Sequence, residues 1–336
     1  MLSRADYSLI DRWLHRLALA RPGVQVGLAE IESDVYGKAL ARVPVGGEVF
    51  VTGLPRAGTT LVLDLLHATG EFASLTYRQM PFVAAPLLWS RISSPFRRRA
   101  VTRERAHGDG MEVSYDSPEA FEEVVWLAYL RDRYVRDDRL LPLGADAYDP
   151  EFAASFRSFV QKCRLLAAGD GEPEDAPRYL AKNNANVSRL ALLARLCPES
   201  RMVVPFREPL SHVGSLMKQH ALFCERHDAD PFGRDYMAWL GHFEFGRVLK
   251  PFDHGGWLAD ETAPTSPDAG FWLRYWTATY AHALAEAGPQ VLFVDFDALL
   301  ADGRPVLERV ADHVAVRDRE ALLAGADRLR APTTSP

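Results

Sequence analysis

The sequence predicts an α/β protein with a central parallel sheet of about four to five strands, flanked by helices, with helical and loop excursions over one end of the sheet. Three stretches carry that expectation. "EVFVTGLPRAGTTLVLDLL", Glu48 to Leu66, is a short apolar run that stops at Gly53, passes through a glycine loop and becomes helical from Thr59. "RYLAKNNANVSRLALLARLCPESRMVVPFREPLSHVGSLMKQHALF", from Arg178, alternates strand, helix, strand and helix. "QVLFVDFDALLADGRPVLERVADHVAV", from Gln290, adds a last strand and a closing helix. Short apolar runs separated by helical patterns are what a parallel sheet with crossover helices requires.

The remaining elements follow from periodicity and punctuation. Leu9, Ile10, Trp13, Leu14, Leu17 and Leu19 fall at helical spacing, so residues 1–46 read as a helical N-terminal extension. Gly70 ends the first post-loop helix. Tyr77 to Gly110 reads as helices and loops over a sheet edge. In "DSPEAFEEVVWLAYLRD" Ser117 is a plausible N-cap and Pro118 stands at N1, with acids in the first turn. Phe152 to Ala168 is another helix, and "GDGEPEDAP", Gly169 to Pro177, is a surface linker. Asp230 to Pro267, rich in aromatics, Gly and Pro, reads as a substrate-side excursion before the helix of "FWLRYWTATYAHALAEAG". One domain spanning 1–330 with a disordered tail, 331–336, is expected.

Bulk properties narrow the partners. With 39 Lys and Arg against 45 Asp and Glu, a net charge of -6 argues against a nucleic-acid surface, although local basic sites can still hold small anions. Cys163, Cys197 and Cys224 are far apart and lack C-x-x-C spacing, so reduced thiols are expected. Charges interrupt the N-terminal apolar residues, unlike a signal peptide, and no run approaches the ~18 apolar residues of a membrane span. A cytoplasmic location is the expectation.

Gly53 and Gly58 have P-loop spacing, G-x-x-x-x-G-K-[ST], but Thr59 stands where the lysine should be. A glycine turn entering a helix still aims backbone N–H groups and a helix dipole at an anion. The cation sits inside the loop instead, as Arg56. Arg56 with the backbone at Ala57 and Gly58 and the hydroxyls of Thr59 and Thr60 suits less charge than a triphosphate clamped by magnesium, such as a phosphate bonded to a sulfuryl group.

"TGLPRAGTT" resembles the 5′-phosphosulfate loop of sulfotransferases that use 3′-phosphoadenosine 5′-phosphosulfate (PAPS). In "VVPFREPLSHVGSL", Arg207 and, eight positions on, Ser215 resemble that family's 3′-phosphate pair. The spacing makes physical sense: Arg207 leaves the C-terminal end of a strand and Ser215 lies about two turns into the next helix. A strand-end lysine in "YLAKNNANVS", Lys182, looks like the lysine of tyrosylprotein and bacterial sulfotransferases, which would face the bridging oxygen as charge develops on the leaving phosphate. The resemblance implies a P-loop-type sulfotransferase fold, PAPS as co-substrate, adenosine 3′,5′-bisphosphate (PAP) as product, no required metal, and a small-molecule or saccharide acceptor attacked by in-line displacement.

The acceptor's proton needs a base. The tyrosylprotein branch carries a glutamate shortly after the first helix, but "SLTYRQMPF" has none. His107, on a Gly-flanked loop with Asp109 beside it, is the first candidate, followed by Glu119, Glu122, Glu123 and Asp116. The glutamates also fit as charge at a helix N-terminus. His212, His220, His227, His242 and His254 form no H-E-x-x-H cluster and read as structural or acceptor-site histidines rather than metal ligands. Trp89, Phe243, Phe245, Trp257 and Trp272 fit either a pocket lining or the core. Two other functions stay open: a P-loop small-molecule kinase using Mg-ATP, for which "VLFVD" ending at Asp295 resembles a Walker-B strand, and a nucleotide-binding module without catalysis.

Overall fold

The computed structural model describes residues 9–93, 103–104, 112–113, 120–259 and 266–329. His107, Asp109, Asp116 and Glu119 lie outside the described residues, as do Ser117, Pro118 and the tail.

Helices α1 (Leu9–Leu19) and α2 (Pro22–Leu40) precede strand β1 (Val49–Val51), helix α3 (Thr59–His67), strand β2 (Phe72–Ala73) and helix α4 (Pro86–Ser93). A two-stranded antiparallel pair, β3 (Arg103–Glu104) and β4 (Glu112–Val113), comes next. Helices α5 (Glu123–Tyr134) and α6 (Pro150–Ala168) lead to strand β5 (Arg178–Lys182), helix α7 (Leu190–Leu196) and strand β6 (Arg201–Phe206). Helices α8 (Pro209–Ala229), α9 (Pro231–Leu240) and α10 (Ala269–Glu286) precede strand β7 (Val291–Asp295) and helices α11 (Phe296–Ala301), α12 (Gly303–Val314) and α13 (Arg319–Leu323).

The main sheet is parallel, in the order β2-β5-β1-β6-β7. Because a strand's side chains alternate, each buried strand feeds two cores. Val49, Val51, Leu180 and Val203 meet α3, α12 and α13 on one face. Phe50, Tyr179, Ala181, Met202 and Val204 meet the larger core of α5 to α10 on the other. That two-sided burial is why these strands read as continuous apolar runs.

Strand order places the site. The chain leaves β1 toward β2, returns as β5 beside β1, and crosses to the opposite side as β6. Val51 is level with Lys182 on one neighbour and Val203 on the other. The C-terminal ends of β5, β1 and β6 therefore flank one crevice at the switch point, the place where α/β sheets bind ligands.

Two sequence expectations need correction. Helix α5 starts at Glu123 with Glu122 at its N-cap, later than the sequence suggests, and Ala120 and Phe121 before it are non-helical. Burial explains the shift: Phe121 packs edge-on against Tyr77 at 5.0 Å between ring centroids, which anchors that stretch in the core. The helix expected over Asn186 to Pro198 is split into a 3₁₀ turn, Asn184–Ser188, and α7. Asn183 caps the turn by accepting the Ala185 N–H, the local side-chain competition that makes Asn a poor helix residue.

Candidate active site

The glycine loop owes its conformation to its neighbours. Arg56 and Gly58 both have positive φ, 71° and 92°. A Cβ at Gly58 would lie 2.1 Å from the Phe296 ring, so only glycine fits there. Helix α3 starts at the next residue and points its N-terminus into the crevice, where an anion is favoured.

Three of the expected cofactor residues converge at this end. Arg56 Nε donates to Ser215 Oγ at 3.3 Å, and Arg207 Nη1 donates to the Arg56 carbonyl at 3.5 Å. The Glu208 carboxylate is engaged mainly as the cap of α8, accepting the Leu210 and Ser211 N–H groups at 3.0 and 2.7 Å, with a weaker attraction to Arg207. Among the described residues, Arg207 Nε is buried without a hydrogen-bond partner, and the Asp297 carboxylate oxygen is 4.0 Å away. A buried guanidinium N–H left open beside a second arginine and a serine is a donor set that fits a phosphate. His212 braces the loop: its Nε2 donates to the Pro55 carbonyl at 2.9 Å, while its Nδ1 accepts from Trp276 at 3.2 Å. Burial pushes His212 down to about 4, so it stays neutral in this role.

The other end of the crevice is a pocket lined by Pro55, Lys182, Asn184, His242 and Glu244 with the apolar surfaces of Tyr77, Phe121, Tyr236, Met237, Leu240 and Phe245. Lys182 is buried at the end of β5. His242 Nδ1 lies 3.6 Å from Glu244 Oε2, and both side chains remain partly open, at 19% and 22% exposure. Burial alone would raise the Glu244 carboxyl; His242 beside it and Lys182 beyond reverse that and hold it down, to about 2. Glu244 therefore carries a full negative charge.

Asn184 joins the two ends. It accepts from Thr59 Oγ1 at 3.3 Å and donates through Nδ2 to Glu244 Oε1 at 3.1 Å, and its carbonyl accepts from Thr52 at 3.3 Å. A continuous polar chain runs Thr59, Asn184, Glu244, His242.

Glu122 and Glu123 sit beneath this turn and are wholly buried. Glu122 accepts from Trp126, Tyr179, Asn183 and Asn186, and burial raises its carboxyl despite those bonds. Glu123 pairs with Arg189, accepts from Tyr134, and accepts from Asn183 Nδ2 at 2.8 Å. Arg189 in turn lies on the Trp126 face, 3.6 Å from its centroid. With their oxygens committed, the two glutamates hold the 183–186 turn that presents Asn184.

Of the other sequence candidates, Ala57, Thr59 and Thr60 occupy the loop and the start of α3 as expected. Phe245 lines the pocket, whereas Trp272 is fully buried in the core. Asp295 caps α11, accepting the Asp297 and Ala298 N–H groups at 2.9 and 3.1 Å. The three cysteines are free, and among the described residues no cluster of three metal-ligating side chains occurs. Asn184 and Glu244 were not singled out by sequence, and His242 reads only as one of five structural or acceptor-site histidines. His242 is one of ten histidines, and no local spacing marks it.

A parallel sheet with a glycine loop running into a helix at its switch point defines a P-loop-type α/β protein. Residues 48–244 match the profile of the sulfotransferase family, and the chain belongs to that family. Its fold is similar to sulfotransferase STF9 from Mycobacterium avium, at a TM-score of 0.54 and 16% identity over 96% of this chain and 76% of that one. It is also similar to sulfotransferase STF1 from Mycobacterium tuberculosis H37Rv, at a TM-score of 0.51 and 15% identity over 96% and 82%. A search of curated proteins returns no match. No helix among the described residues is long and apolar enough to cross a membrane.

Proposed function

We propose that this sulfotransferase moves the sulfuryl group of PAPS to the hydroxyl of a small molecule with a largely apolar body. The observation that carries the reading is the polar chain from Thr59 through Asn184 to the Glu244–His242 pair, which links an anion-binding loop to a pocket containing Lys182. Arg56, Arg207, Ser215 and the start of α3 hold the nucleotide's phosphates. PAPS supplies a sulfuryl group on a phosphate leaving group. The S–O bond to the phosphate breaks as the acceptor oxygen bonds to sulfur, so the acceptor proton and the new phosphate charge both need partners.

His242 takes the proton. Glu244 at its Nδ1 favours the tautomer with Nε2 unprotonated toward the pocket, and the ionised carboxylate stabilises the imidazolium that forms. Lys182 meets the charge on the departing oxygen, the task that a P-loop lysine would otherwise share. Six apolar or aromatic side chains around the polar end favour an aliphatic or aromatic alcohol over a saccharide, which would leave hydroxyls unpaired against them.

The test has two stages. Thermal shift with PAP against Mg-ATP separates the sulfotransferase from a kinase; stabilisation by Mg-ATP alone would overturn the donor assignment. Transfer of label from PAPS to pools of apolar alcohols then locates the acceptor. His242→Ala should lower kcat by about 10²–10⁴-fold with PAP affinity retained. Loss of turnover in His107→Ala with none in His242→Ala would move the base to the other histidine.

A further inference from the structure

The loop that carries His242 and Glu244 is held from behind by one helix. Two turns apart on α8, His220 Nδ1 accepts the Gly246 N–H at 3.1 Å and His227 Nδ1 accepts the Arg247 N–H at 3.1 Å. The backbone is pressed against the helix: Gly246 has a φ of +69°, and a Cβ there would lie 2.5 Å from His227 Nδ1 and 3.0 Å from Phe223 Cβ. Only a neutral imidazole can accept at Nδ1, since both ring nitrogens of the protonated form are donors.

We propose that His220 and His227 are positioning residues, which latch the acceptor loop to α8 through neutral rings and release the His242–Glu244 pair when either ring is protonated. The inference rests on the acceptor-pocket reading above. The same helix carries Ser215 and, through His212, braces Pro55, so α8 sets the distance between the two halves of the crevice.

The surroundings keep both rings neutral at pH 7. Burial lowers His220, helped by Arg247; Cys224 lies 3.5 Å from its Nε2, and the Trp272 ring of α10 faces it at 5.7 Å. Burial also lowers His227, with Arg234 of α9 and Arg247 acting in the same direction against Asp228 and Asp230. Arg247 is itself paired with Asp228 at 2.6 Å. Nε2 of His227 is buried without a hydrogen-bond partner among the described residues, so a proton there would add a charge with no acceptor. A ring that accepts at Nδ1 cannot also be protonated there, so the released loop binds more protons than the latched one in acid, the same direction as the lowering by burial. Latching therefore weakens as pH falls below about 6.5, by up to about tenfold per ring at one pH unit lower.

Hydrogen exchange at the Gly246 and Arg247 amides reads the latch directly. In the full-length wild-type protein, protection corrected for intrinsic chemistry should fall severalfold, up to about tenfold per ring, between pH 7.5 and 5.5. In His220→Asn/His227→Asn, which retains an acceptor near each Nδ1 and cannot titrate, that extra loss should vanish. In His220→Phe or His227→Phe protection should be low at every pH. In parallel, the wild-type KM for the acceptor should rise in acid while PAP affinity holds. Constant wild-type protection down to pH 5.5, or the same acid opening in the Asn variant, would overturn the latch. The wild-type series needs no variant to fold. Amides that open as expected in a protein that transfers no sulfuryl group would leave the latch standing and remove the functional reading instead.

Discussion

The proposed donor and acceptor halves of the crevice are built in opposite ways. The donor half comes from two compact segments, 53–60 and 207–215, each a strand end running into a helix. The acceptor half collects Tyr77, Phe121, Lys182, Asn184, Tyr236 and the 242–245 loop from five separate stretches. The donor phosphate is a fixed shape, and helix starts plus arginines meet it wherever the sheet switches. The acceptor varies between proteins of one fold, so its pocket is assembled from excursions that the sheet does not constrain.

Breaking each half should give distinct signatures. After His242→Ala, the largest effect belongs to the junction: Lys182→Ala should lower kcat by about 10²–10³-fold, because it removes charge from the leaving oxygen in a buried site. Near-normal single-turnover rates would contradict that role. In the donor half, Arg207→Ala should weaken PAP about a hundredfold by calorimetric titration, roughly the loss of a charge-assisted phosphate contact. If Arg56→Ala and Arg207→Ala both titrated like the wild type, the donor half would be wrongly assigned.

Asn184→Ala tests the bridge. It removes the hydrogen bonds to Thr59 and Glu244 without touching either arginine, and kcat should drop about tenfold with PAP affinity little changed. The smallest effect is on stability. Glu244 is held at about 2, below its ordinary 4.5, so the folded state binds fewer protons than the unfolded one between those values. That stabilisation is present above pH 4.5 and is lost as pH falls toward 2. Glu244→Gln should flatten this part of the melting-temperature profile, and an unchanged profile would show that the carboxylate is not held ionised.

The donor half was legible because its chemistry is local. A glycine at 58, an arginine at 56 and the Arg207/Ser215 spacing each announce themselves within a few residues to about two turns of chain, and the apolar runs on both sides fix strand and helix. Lys182 was legible for the same reason, as the last residue of a strand. Glu122 and Glu123 were placed near a helix start, but their burial could not be read, because the partners that hold them, Tyr179, Asn183, Asn186 and Arg189, lie more than fifty residues away. His242 and Glu244 were invisible as a pair for a related reason. Two residues apart in a loop, they become a pocket pair only where Lys182 and Asn184 arrive at the end of β5.

By itself the sequence determined the sheet, the glycine loop and the place of the arginines beside it, since hydrophobic period, glycine geometry and helix starts are properties of neighbouring residues. The tertiary structure alone decided that Asn184 links Thr59 to Glu244, that the 242–244 loop faces Lys182, and that histidines of α8 hold that loop from behind. Those contacts depend on where crossover connections bring distant segments together, and packing around the switch point sets that placement rather than any local preference of the chain.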